Sequence, residues 1–178
     1  MKSIVALVLL FAAASVAQDQ ATIGNARASC GSRNVQFDVK TDKGRHPVAQ
    51  PAPDKALVLV VENLRAACFL CDTTTRIGLD GAWVGATKDN SYLSFSVEPG
   101  EHHLCADLQA VPSDSETTGL ASFTVEAGKT YYFRARLTDR NNSGKGGVNW
   151  ALDLEPIDGD QGQFLIASYG LSTFRQRK

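Results

Sequence analysis

The sequence predicts an all-β fold: one antiparallel β-sandwich of about seven to nine strands, with a single C-terminal α-helix packed on it. Three observations carry that expectation. Apolar and polar residues alternate over short runs, as in Leu93, Phe95 and Val97 against Tyr92, Ser94 and Ser96. A period of two is what a strand with one buried face requires. Turn dipeptides punctuate these runs at Asp80–Gly81, Pro99–Gly100 and Ala127–Gly128, where Gly accepts positive φ and Pro fixes its own φ. The period becomes helical only after Pro156, where Phe164, Ala167, Leu171 and Phe174 line one face.

The elements follow in order. Val35, Phe37 and Val39 alternate with Asn34, Gln36 and Asp38 and predict a first strand. The segment from Gly44 to Lys55 holds three prolines and predicts an extended connection, with His46 solvated. Ala56 to Val61 is a continuous apolar run without a polar face, which predicts a strand covered on both sides. A meander follows, with strands near 76–80, 82–86, 91–97 and 101–108. Ala121, Phe123 and Val125 predict the next strand. Tyr131, Phe133, Ala135 and Leu137 predict another, and Trp150, Leu152 and Leu154 the last, with Trp150 in the core. Asp160 to Gln163 reads as a capping box opening the helix. Gly170 weakens that helix by up to about 1 kcal/mol. The helix needs an apolar partner, and the doubly apolar strand from Ala56 to Val61 supplies one.

The N-terminus bounds the compartment. Met1–Lys2 precedes an apolar run from Ile4 to Ala14, ending in Ser15-Val16-Ala17. A basic start, a short apolar middle and a small-x-small end predict a signal peptide cut after Ala17. The run is shorter than the ~20 residues that span a bilayer, and no later segment is apolar for long enough. The first cysteine is Cys30, too far from the run for a lipid anchor. The expected organisation is a signal peptide at 1–17, a flexible tail at 18–33, a β-domain at 34–156 and the helical segment at 157–178. The formal charge is −1, with 18 basic against 19 acidic residues and no basic block, which argues against nucleic acid as partner. The expected location is periplasmic or secreted.

Several turn motifs occur in a familiar order: Ala-Leu-Val-Leu-Val from Ala56, Gly-Leu-Asp-Gly-Ala-Trp-Val-Gly from Gly78, Asn-Ser-Tyr from Asn90, Val-Glu-Pro-Gly-Glu-His from Val97, and Glu-Ala-Gly-Lys-Thr-Tyr-Tyr from Glu126. From about Ala56 to Ala167 the pattern resembles the bacterial domain of unknown function 2846 family. The resemblance implies an exported, β-rich protein of unassigned activity. It lends no catalytic residue, and this chain lacks the anchor cysteine of the lipid-anchored members.

The candidate sites are few. Cys30, Cys68, Cys71 and Cys105 are an even set in an exported chain, so two disulfides are expected. Cys68 with Cys71 and Cys30 with Cys105 is one connectivity; the pairings of Cys30 with Cys68 or with Cys71 stay open. The alternative chemistry is a zinc or copper site from His103, Cys105, Cys68 and Cys71, since His and thiolate ligate both metals and Cys-x-x-Cys has ligand spacing. A strand there would put His103 and Cys105 on one face and His102 and Leu104 on the other. Oxidised cysteines do not ligate, so no metal and no cofactor is expected. Lys145 sits between glycines without the ending of a phosphate loop. Asn141-Asn142-Ser143 is formally a glycosylation acceptor. Trp83, Tyr92, Tyr132 and Trp150 are the aromatic residues available for a glycan or peptide surface. Asp80 and Asp107 read as turn and surface residues. No Ser/His/Asp set stands at a known spacing, so the expected function is non-enzymatic: a binding or scaffolding module of the cell envelope, its partner an envelope protein or glycan.

Overall fold

The computed structural model describes residues 28–47, 49–64, 73–109, 117–140 and 150–178. Residues 1–27, Cys68, Cys71, the Lys145 loop and the glycosylation acceptor lie outside these, and with them the signal peptide. Ten strands and one helix are present among the described residues: β1 (Phe37–Asp42), β2 (Ala56–Asn63), β3 (Thr74–Leu79), β4 (Ala82–Lys88), β5 (Ser91–Val97), β6 (Gly100–Leu108), β7 (Thr118–Val125), β8 (Thr130–Asp139), β9 (Trp150–Ile157), α1 (Gly159–Ser168) and β10 (Gly170–Gln176). The all-β class holds.

The strands form two sheets. One has six strands in the order β1-β10-β5-β2-β8-β9, and the other four in the order β4-β3-β6-β7. The four-stranded sheet is antiparallel. The six-stranded sheet is mixed, because β2 runs parallel to β8 and β10 parallel to β5, where a purely antiparallel arrangement was expected. The inward faces of both sheets share one core. Val58, Val60, Leu93, Phe133, Leu152 and Leu154 come from the larger sheet, and Ile77, Leu104, Ala106 and Val125 from the smaller. The sheets also meet closely at two edges. A Cβ added at Gly119 in β7 would lie 2.9 Å from the Leu154 nitrogen in β9, and one at Gly85 in β4 would lie 2.6 Å from the Phe174 ring in β10.

The predicted meander is broken. Asp80 and Gly81 have φ of 49° and 88°, as a tight I′ hairpin between β3 and β4 needs. β5 then leaves that sheet and pairs with β2 over six residues, from Ala56↔Val97 to Val61↔Tyr92. The Pro99–Gly100 corner returns the chain to the smaller sheet as β6. Alternation specifies which face is buried and leaves the partner strand open, so sequential pairing was the default and here the wrong one.

The C-terminal segment is also divided differently. The helix ends at Ser168, and Gly170 starts a strand instead of weakening a helix. A Cβ at Gly170 would lie 2.6 Å from Thr41 and 2.8 Å from the Asp42 carbonyl oxygen, so the close approach of β1 takes this residue. Leu171 and Phe174 belong to β10, while Phe164 is 70% exposed. The N-cap is Asp158, accepting from Gln161 N at 2.8 Å, and Asp160 falls in the first turn. Leu165 and Ile166 of α1 pack with Leu57, Leu59, Val61 and Tyr92, which covers the outer face of β2. His46, exposed but bound, donates from Nδ1 to the Ile166 and Tyr169 carbonyls at 3.0 and 2.9 Å. It thereby ties the proline-rich connection to the end of the helix. No helix among the described residues is long and apolar enough to cross a membrane.

Candidate ligand groove beside a disulfide strap

Residues 28–36 form a strap over the outer face of β3 and β6. Residues 28–33 were expected within a flexible tail, but Cys30 is bonded to Cys105 with a Cα–Cα distance of 5.3 Å, and the strap is held where it crosses. The Ser29 carbonyl accepts from Gly81 N at 3.0 Å. A Cβ at Gly78 would approach the Ser29 carbonyl oxygen to 2.9 Å, so the strap lies directly on β3.

Beneath it lies a buried ion pair. Arg76 and Asp107 stand opposite each other on β3 and β6, and their side chains are 5% and 2% exposed. The Arg76 guanidinium bonds the Asp107 carboxylate and donates through Nη1 to the carbonyls of Arg33 and Val35, each at 2.9 Å. Thr118 Oγ1 donates to the other Asp107 oxygen at 2.9 Å. Asp107 is therefore no surface residue. Its parity does place it on the outer face, but the strap converts that face into an interior one. At the far end of the strap, Gln109 clamps the Phe37 backbone, accepting from its N–H at 2.7 Å and donating to its carbonyl at 3.0 Å.

Parity on β6 is as expected. His102 and Leu104 face the core side, where His102 packs 5.9 Å from the Phe123 ring. His103 and Cys105 face outward. Cys105 is fully buried under the strap, while His103 is exposed and lies 3.0 Å from Ser122 Oγ through Nδ1. The disulfide removes the Cys105 sulfur from the set His103, Cys105, Cys68 and Cys71. Asp80 organises the hairpin end, accepting from His103 N at 2.8 Å and lying 2.6 Å from His102 Nδ1. The other ring nitrogen of His102 lies 2.8 Å from the Glu98 carbonyl oxygen. Burial opposes charge on the ring, but the Asp80 carboxylate and the Glu98 carbonyl outweigh it and raise the His102 pKa. Desolvation likewise opposes charge on Asp80, and the bonds from His102 and from His103 N prevail and lower its pKa.

The four aromatic candidates do not share a surface. Tyr92 is fully buried, and Tyr132 packs with it on the α1-covered side. Trp150 has the core parity of Leu152 and Leu154 but starts its strand, and is 38% exposed. Trp83 is half-buried and fixes the strap: Nε1 donates to the Ser32 carbonyl at 2.7 Å, and Arg76 sits 4.8 Å over its ring. A Cβ at Gly31 would fall 2.5 Å from the Trp83 ring, so only glycine lets the strap pass.

Between the strap and β10 opens a cleft of about 470 Å³, walled by Val35, Phe37, Trp83 and Phe174 with Arg175 at its rim. Phe174 is 42% exposed and meets the buried Phe37 edge-on at 5.8 Å. Sequence reasoning missed this cleft because it placed Phe174 on a helix. It also missed Glu62, a carboxyl that is only 2% exposed. Burial pushes its pKa up to about 8, against hydroxyls of Thr87 and Thr75 that favour the charged form. One carboxyl oxygen of Glu62 has no hydrogen-bond partner among the described residues. A signal was present: Glu62 shares the parity of Val58 and Val60.

No protein-family model matches this chain, and neither does any curated protein.

Proposed function

We propose that this chain is an exported, non-enzymatic binding module of the cell envelope, a β-sandwich whose ligand surface is the cleft beside the strap. The observation that carries the reading is the Cys30–Cys105 bond. A disulfide that pins an N-terminal strap over a buried ion pair belongs to an oxidising compartment, in agreement with the signal-like N-terminus. The order of turn motifs that resembles the domain of unknown function 2846 family supports the same reading. The carboxylates and histidines with strong partners are engaged in structural roles: Asp107 with Arg76, Asp80 with His102, and Glu155 with Arg134 and Arg136.

Cell fractionation, intact mass and thiol counting without reductant test this. The expected result is envelope protein lacking Met1–Ala17, with no alkylatable thiol and no bound metal. Cytosolic protein that retains Met1–Ala17 would overturn it. Four free thiols with stoichiometric zinc or copper would replace it by the metal-binding reading through His103 and the cysteines.

A further inference from the structure

We propose that β7 is a pairing edge on which a second copy of this chain adds its own β7, antiparallel, so that the two four-stranded sheets become one. This surface is separate from the cleft beside the strap.

Each sheet ends in two edge strands, and three of the four are blunted. β1 carries Asp38, Lys40 and Asp42, and Gln109 clamps its Phe37 backbone. β4 is bulged opposite Ile77 and Gly78, and the Phe174 ring lies against its Gly85. β9 carries Asp153, Glu155 and Pro156. Charges, prolines, bulges and covers are the means by which edges are kept from pairing. β7 lacks them beyond Gly119. It reads Thr-Gly-Leu-Ala-Ser-Phe-Thr-Val, without charge or proline, and pairs with β6 along its whole length without a shift.

The ladder tells which backbone groups face out. Leu108 N donates to the Thr117 carbonyl at 3.1 Å. In the alternating antiparallel pattern, Gly119, Ala121 and Phe123 therefore turn their backbone groups to β6. Leu120, Ser122 and Thr124 turn theirs away, and among the described residues these meet no other backbone partner. β9 packs against β7 at Gly119, where an added Cβ would lie 2.9 Å from Leu154 N. Past that point the edge is open. Leu120, Ser122 and Thr124 are exposed, and even the core-facing Ala121 and Phe123 are only half-buried.

The strand is complementary to itself. Ser122 placed opposite Ser122 of the second copy matches outward backbone with outward backbone. The same register sets Leu120 opposite Thr124 and Phe123 opposite Ala121, so large side chains meet small ones and no like charges face each other. Two-fold symmetry closes the contact at two copies. A foreign peptide has less to hold it: the depression beside Leu120 and Ser122 is about 70 Å³, well below the ~300 Å³ of small ligand sites. Strand addition draws its specificity from such side-chain pockets. A contact of this length is small, so the dimer dissociates on dilution.

Sedimentation velocity on the mature, disulfide-intact chain over a concentration series tests the proposal, with amide hydrogen exchange at both ends of the series. The expected result is a monomer when dilute and a dimer when concentrated. The amides of Leu120, Ser122 and Thr124 should gain protection as the dimer forms. Leu120→Lys with Thr124→Lys sets like charges opposite each other and should weaken the dimer at least about tenfold. Leu120→Glu with Thr124→Lys sets opposite charges there and should keep it. Both pairs of substitutions lie on exposed side chains, and circular dichroism matching the parent's shows that they fold; where either does not, exchange in the parent decides. A monomer at every concentration, a dimer equally strong with two lysines, or protection gained elsewhere and not at these three amides overturns the proposal.

Discussion

Glu62 makes the stability of the fold depend on pH. Its carboxyl is raised from 4.5 to about 8 by burial in the inter-sheet core. The folded state thus holds a proton that the unfolded chain releases above pH 4.5. The sign follows from linkage: stability from this group is complete below about pH 4.5 and is lost progressively as pH rises towards about 8. The loss across that window is on the order of 5 kcal/mol. Glu62→Gln keeps the shape and removes the titration. Urea melts at several pH values should show the variant no less stable than the parent at pH 5. At pH 8.5 it should be more stable, with a flatter profile between. An identical pH dependence in the two proteins would show that Glu62 is solvated or paired. The parity that points Glu62 inward is visible in the chain, but the acid after Val61 reads as the end of an apolar run. Only the packing of the smaller sheet over it, with Thr75 and Thr87 fully buried, takes the carboxyl out of water.

Among the elements, α1 depends on one glycine. Gly162 lies against the Tyr132 ring so closely that an added Cβ would collide with it, its Cβ included. The ring cannot swing away at its own Cβ, so the helix must lift from β2 and β8. Gly162→Ala is expected to cost about 1–3 kcal/mol as overpacking, despite the higher helix propensity of Ala. Phe164→Ser, on the exposed side of the same helix, should stay within about 0.5 kcal/mol of the parent. Thermal melts of the two variants check this. Equal melting temperatures for Gly162→Ala and the parent would mean that α1 does not seat on Tyr132. The need for a cover over the apolar strand from Ala56 to Val61 was legible. The length of that cover was not, because Leu171 and Phe174 satisfy a helical period and a strand period equally well, and contact with β1 decides between them.

At the scale of the whole molecule, the disulfide joins the chain across 75 residues. Loop closure of that length corresponds to about 4.5 kcal/mol of unfolded-chain entropy. Cys30→Ala with Cys105→Ala should therefore lower stability by a few kcal/mol, measured by denaturant midpoint. It should also expose Trp83, because the strap loses its anchor while Gly31 passes against that ring. A red shift of tryptophan emission in the folded variant reports the release. A variant with unchanged midpoint and emission would show that Arg76 and Gln109 hold the strap without the bond.

The amino-acid sequence by itself determined the strand faces, the tight hairpin at Asp80–Gly81, the even cysteine set and the presence of a C-terminal helix. These are local properties, set by side-chain period and by the φ a residue tolerates. The tertiary structure alone decided which strands pair, where β5 changes sheets, that Asp107 is interior and that Phe174 walls a groove. Each of those depends on contacts between residues far apart in the chain, Arg76 with Arg33, Gln109 with Phe37 and Gly170 with Thr41, and no local pattern encodes a distant partner.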